Sequence, residues 1–170
     1  MPKKQPVYMA QAAVIAALYA AFTLAFSPVS YGQIQFRIAE VLCILPLFTP
    51  AAVPGLFAGC VLANAAGAAL GQTLVVDILL GSAATLTAAM LTRHTRKITV
   101  YHIPLLSMFF PVIINAVIVG AELVYFFKTP FFLNSCWVGL GELAVCYGLG
   151  LPLFLLIRKI GPEKIFQNNA

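Results

Sequence analysis

Apolar runs long enough to cross a bilayer follow one another through almost the whole chain, broken only by short clusters of charge and proline. A helix needs about 20 apolar residues to span the hydrocarbon core. The runs 7–26, 37–49, 51–70, 74–92, 103–127 and 133–157 reach or approach that length. They predict an all-α integral membrane protein, a single domain of residues 1–170 built as a bundle of six transmembrane helices. Only 9% of the residues are charged, against about 25% in soluble domains. The apolarity is continuous rather than alternating, which excludes an outer-membrane barrel. The second run is the short one: after Arg37 it meets Pro46, Pro50 and Pro54, so it is expected to be tilted, broken or partly re-entrant.

Charge sets the expected orientation. Eight of the ten basic residues fall in three clusters, Lys3/Lys4, Arg93/Arg96/Lys97 and Arg158/Lys159/Lys164. Six crossings put all three on one side, with only Arg37 and Lys128 opposite. Positive residues mark the cytoplasmic face, so both termini are expected in the cytoplasm of a cell-membrane protein. The first run is longer than the core of a signal peptide and reads as a retained helix. The net charge of +5 is spread over helix ends, which gives no nucleic-acid surface.

Four of the five acids, Glu40, Asp77, Glu122 and Glu142, lie inside apolar runs. An ionised side chain at mid-membrane costs roughly 2.5–3.5 kcal/mol, so each is a functional candidate. The expected topology places all four in the outer half, the outline of a site for a cation. Asn64 and Asn115 lie deeper and must face the interior, as substrate contacts or as bridges between helices.

The segment from Tyr31 to Glu40 is the most distinctive. Gln33 and Gln35 offer amide hydrogen bonds, and Tyr31 and Phe36 offer stacking surfaces beside a carboxylate. That set suits a flat, polar, cationic heterocycle. The competing reading is an Arg37–Glu40 ion pair at i,i+3. Asp77 can cap a helix as readily as touch a ligand. Glu122 and Glu142 follow glycines and either contact ligand or pair with Arg37 or Lys128. Trp137 is a further stacking candidate. The first helix carries two stripes of small residues, Ala13/Ala17/Ala21/Ala25 and Ala12/Ala16/Ala20. Small residues let helices approach closely, either within the bundle or, through Ala13, Ala17 and Ala21, against a partner subunit.

Cys43, Cys60, Cys136 and Cys146 stand singly in apolar surroundings and read as small packing residues. His94 and His102 flank a basic loop without metal-ligand spacing. No nucleophile elbow, zinc-protease or phosphate-binding motif is present, so neither an enzyme nor a resident metal or cofactor is expected.

Gly32-Gln-Ile-Gln-Phe-Arg-Ile-Ala-Glu40, Leu45-Pro46 and Thr49-Pro-Ala-Ala-Val-Pro-Gly-Leu-Phe-Ala-Gly59 resemble the QueT family. Asn64, Asp77 with Gly81, Pro111 with Asn115, and Gly141-Glu142 continue the likeness along the chain. The resemblance implies the substrate-binding S component of an energy-coupling-factor transporter for queuosine precursors such as the aminomethyl deazapurine preQ1. It also implies partners: a transmembrane coupling protein, met by the alanine-rich first helix, and two cytoplasmic ATPases. The site expected from these readings comprises Tyr31, Gln33, Gln35, Phe36, Arg37, Glu40, Asn64, Asp77, Asn115, Glu122 and Glu142, with Glu40, together with Glu142 or Glu122, holding the ligand's ammonium. The rival is a stand-alone, ion-coupled transporter of a small cation, for which buried acids serve equally well.

Overall fold

The computed structural model describes residues 4–31 and 36–166. Among them the secondary structure is helical, with no strand. The first helix, α1, runs Lys4–Ala25, and a single turn, α2, covers Ser27–Ser30. A 3-10 segment covers Ile38–Leu47, followed by α3 (Ala52–Ala69), α4 (Asp77–His94) and α5 (Leu105–Phe127). Next come α6 (Phe131–Leu143), a π-helical turn (Ala144–Leu149), α7 (Gly150–Ile160) and the short α8 (Pro162–Ile165). Four stretches are long and apolar enough to cross a membrane: Gln5–Ala25, Ala52–Ala69, Leu105–Phe126 and the unbroken run Phe131–Ile160. The chain is thus a multi-pass membrane protein. The other two expected crossings are of a different kind. The 3-10 segment is short, and α4 carries Asp77, Arg93 and His94 at its ends with Gly, Ser and Thr between.

The 3-10 segment is the axis of the bundle. Every residue from Ala39 to Pro46 is buried, as expected for a helix that is apolar all round. It packs against α1, α3, α4, α5, the π turn and α7. Its tighter winding, about 2.0 Å per residue, stretches its ten residues to about 20 Å where an α-helix would give about 15 Å. At three residues per turn the side chains at i and i+3 eclipse. Glu40 and Cys43 therefore share one stripe, and the Cys43 thiol donates to Glu40 Oε2 at 2.8 Å.

Around this axis α1 packs on α3, α3 on α4, α4 on α5 and α5 on α6. The α1–α3 contact is close because Gly55 and Gly59 face the backbone of α1. A Cβ at either glycine would stand 2.8 Å from the carbonyl oxygen of Ala12 or Ala16. Between α1 and α7 the ring is open. An apolar groove of about 640 Å³ lies there, walled by Ala10, Val14, Leu18 and Leu153, with Leu42 and Leu45 of the axis among its lining.

Two prolines inside helices are accommodated locally. Pro111 cannot donate to the carbonyl of Ser107, and the Thr92 hydroxyl of α4 donates to that oxygen at 2.9 Å instead. Pro152 cannot donate to Gly148, and the chain passes through the wider π turn immediately before it.

Candidate functional site

At the end of the bundle where the 3-10 segment and α4 begin, buried polar groups gather in two linked clusters. The first surrounds Arg37. Its guanidinium is buried and lies 3.6 Å from Asp77 Oδ2. Its Nη1 donates to Cys60 Sγ at 3.6 Å, and the group sits 5.7 Å from the centroid of the Tyr31 ring. Thr73 donates to Asp77 Oδ2 at 2.8 Å. The Asn64 amide donates to the Asp77 carbonyl at 2.8 Å and to Cys60 Sγ at 3.4 Å. Gly81 makes room for this arrangement, since a Cβ there would collide with the Asp77 carboxylate and the Asn64 amide. Gly67 does the same for Tyr31, whose hydroxyl crosses it to donate to the Ala63 carbonyl at 2.7 Å. Burial, opposed by Arg37, pushes the Tyr31 phenol above its ordinary range, so it stays a neutral donor.

The second cluster surrounds Glu40 and Glu142, both fully enclosed. Tyr19 of α1 donates its hydroxyl to Glu40 Oε1, while Cys43 holds the other oxygen. Asn115 of α5 donates to Glu142 Oε1 at 3.0 Å. The Cys146 thiol lies 3.9 Å from Glu142 Oε2 and 4.0 Å from the Glu40 carbonyl, joining the axis to the π turn. Five segments of the fold thus contribute to one polar interior.

This geometry shows where each residue left open above is placed. Arg37 pairs with Asp77 of α4 rather than with Glu40: Arg37 precedes the 3-10 segment in an extended conformation, and both Glu40 oxygens are taken by Tyr19 and Cys43. Asp77 makes no capping hydrogen bond of its own; the position before the helix is Val76. Glu122 and Glu142 pair with neither Arg37 nor Lys128, whose ammonium lies 5.3 Å from the Tyr125 ring centroid. Asn64 and Asn115 both bridge helices. Phe36 packs against the core. Trp137 is 44% exposed, off the inward stripe of Asn134, Val138, Gly141 and Glu142. Gln33 and Gln35 lie outside the described residues. The alanine stripes separate cleanly. Ala12 and Ala16 face α3, whereas Ala13, Ala17 and Ala21 are exposed on the outer face of α1.

Four contributors escape the sequence reading. Tyr19 sits among the alanines of α1, yet a phenol in an apolar span needs a partner for its hydroxyl, which is the available signal. Cys43, Cys60 and Cys146 are not merely packing residues, since each takes part in a hydrogen bond with a charged or amide group. Their sequence surroundings give no sign of it.

Several buried atoms keep unused hydrogen-bonding capacity. Arg37 Nε, Asn64 Oδ1, Asp77 Oδ1, Ser82 Oγ and both carboxylate oxygens of Glu122 have no partner among the described residues. Folded proteins satisfy nearly all such groups, so this open set marks the candidate site. Among the described residues, no group of three or more His, Cys, Asp or Glu is arranged to hold a metal ion.

No curated protein and no solved structure matches the chain. A family model described as the QueT transporter matches residues 9–159, nearly the whole bundle and every acid of the polar interior. The chain belongs to the QueT transporter family and is a membrane transport protein, not an enzyme.

Proposed function

We propose that the protein is the substrate-binding component of an energy-coupling-factor importer and captures a queuosine precursor of the preQ1 type from outside the cell. The observation that carries the reading is the open polar edge at Arg37, Asn64 and Asp77. A deazaguanine-type heterocycle presents a lactam carbonyl beside ring N–H and exocyclic amino donors. Arg37 Nε matches the carbonyl, and Asp77 Oδ1 and Asn64 Oδ1 match the donors. Tyr31 and Phe36 supply flat apolar surface, the acids of the same interior supply countercharge for the ammonium, and Gln33 and Gln35 add the amide contacts suggested by their place in the sequence.

In this reading the chain crosses the membrane six times, with the 3-10 axis and α4 as the crossings that neighbours shield from lipid. Both termini are cytoplasmic, on the positive-inside rule, so the polar interior lies toward the outside. The exposed Ala13/Ala17/Ala21 face borders the Ala10, Val14 and Leu18 wall of the apolar groove. Small residues beside a groove support close approach of another helix, and the coupling protein docks there, with two cytoplasmic ATPases supplying the energy. Affinity purification from native membranes tests the assembly. The coupling protein and an ATPase pair should co-purify; recovery of the chain alone, with uptake that follows an ion gradient, would instead select the stand-alone transporter.

A further inference from the structure

The four membrane acids are not equivalent in the structure. Glu40 has one donor on each carboxylate oxygen, from Tyr19 and Cys43. Glu142 has Asn115 on one oxygen and the Cys146 thiol near the other. Asp77 has Thr73 and faces Arg37. Glu122 is 5% exposed, and neither of its oxygens has a hydrogen-bond partner among the described residues. An ionised carboxylate taken out of water without a partner is strongly unfavourable, so the partner Glu122 is built for is supplied from elsewhere.

The surroundings say what that partner is. The buried charged side chains among the described residues are Arg37, Glu40, Asp77, Glu122 and Glu142. Arg37 is already paired with Asp77. One buried guanidinium therefore stands against four buried carboxylates, and Glu122 is the one whose oxygens meet no donor among the described residues, which leaves its negative charge uncompensated. A neutral donor would hydrogen-bond to Glu122 and leave that charge in place. A cationic N–H donor both neutralises it and fills the empty acceptor sites.

We infer that Glu122 receives the protonated amine of the ligand and is the residue that selects a cationic ligand over a neutral one of the same shape. This rests on the function proposed above, and it narrows the ammonium contact to Glu122, since the oxygens of Glu40 and Glu142 are engaged within the fold. Glu40 becomes a positioning residue that ties α1 to the axis through Tyr19.

The test is calorimetric titration of the purified full chain with two probes, preQ1 and its analogue bearing an uncharged methyl group in place of the aminomethyl arm. Wild type should prefer preQ1. Glu122→Gln should weaken preQ1 by at least about tenfold, the usual scale for losing a desolvated charge pair, and leave the methyl analogue within about twofold. Glu122→Asp keeps the charge and should retain much of the preference, which guards against a Gln variant that fails to fold. Equal weakening of both probes, or no change in either, overturns the assignment of Glu122 while leaving the function standing. Failure of wild type to bind either probe overturns the function itself, and this inference with it.

Discussion

Replacing Asp77 with Leu leaves the buried Arg37 guanidinium without its ion-pair partner, because the carboxylate 3.6 Å away is the one it has among the described residues. Breaking a buried pair from one side typically costs about 3–5 kcal/mol. The 3.6 Å separation and the lack of a direct hydrogen bond at Arg37 Nη2 place the expected loss at the lower end, about 3 kcal/mol. Arg37→Met should cost a similar amount by orphaning Asp77. The double variant buries no charge at this point and should be no less stable than either single one, so the two losses should fail to add by about 3 kcal/mol. Thermal unfolding of the four detergent-purified proteins without ligand, carried as a double-mutant cycle, measures this coupling. Additive losses would refute the buried pair. The structure would then have placed Arg37 and Asp77 together without interaction between them.

Three further outcomes are expected. Gly59→Ala puts a Cβ 2.8 Å from the Ala16 carbonyl and from Tyr19 Cβ; backbone cannot rotate away, so overpacking should cost about 1–3 kcal/mol in thermal unfolding, and a neutral result would contradict the close α1–α3 approach. Ala17→Trp, on the exposed face of α1, should abolish pull-down of the coupling protein and spare preQ1 binding; the reverse pattern would assign that face to the bundle's own packing. Cysteines introduced at Gln33 and Lys128 should label with an impermeant reagent in intact cells, and one at Thr95 only after the membrane is opened. Only the exposed Cys136 need be removed for this, because Cys43, Cys60 and Cys146 are buried in the polar interior; labelling of Thr95 from outside would invert the topology.

The helical class and the multi-pass character were legible because the bilayer forces long apolar runs, and four of those runs emerge as long, apolar helices with few surprises at their ends. The winding of the second run was not. Ile38–Leu47 has the composition of any buried helix, and nothing in it announces a 3-10 winding. Spacing along the sequence offers Glu40 to Arg37, whereas tertiary packing engages Glu40 with Tyr19 and Cys43 and brings Asp77 of α4 to Arg37. The π turn at Ala144–Leu149 was equally hidden, with Pro152 as its one signal. The acids and amides of the interior stand out in sequence because charge is costly in lipid. Tyr19 and the three buried cysteines do not, since they are cheap in lipid and acquire their roles only from the partners that tertiary packing brings within reach.

The central claim is that the polar interior is a ligand site rather than a structural plug. Calorimetric titration of preQ1 into wild type and into the Arg37→Met/Asp77→Leu double variant tests it most directly, since the double variant should remain folded. The account predicts saturable one-to-one binding to wild type and none to the double variant. Ligand at about 100 times its dissociation constant should stabilise wild type by about 2.7 kcal/mol and leave the double variant unmoved. Equal binding by both proteins, or no binding by wild type, would contradict it.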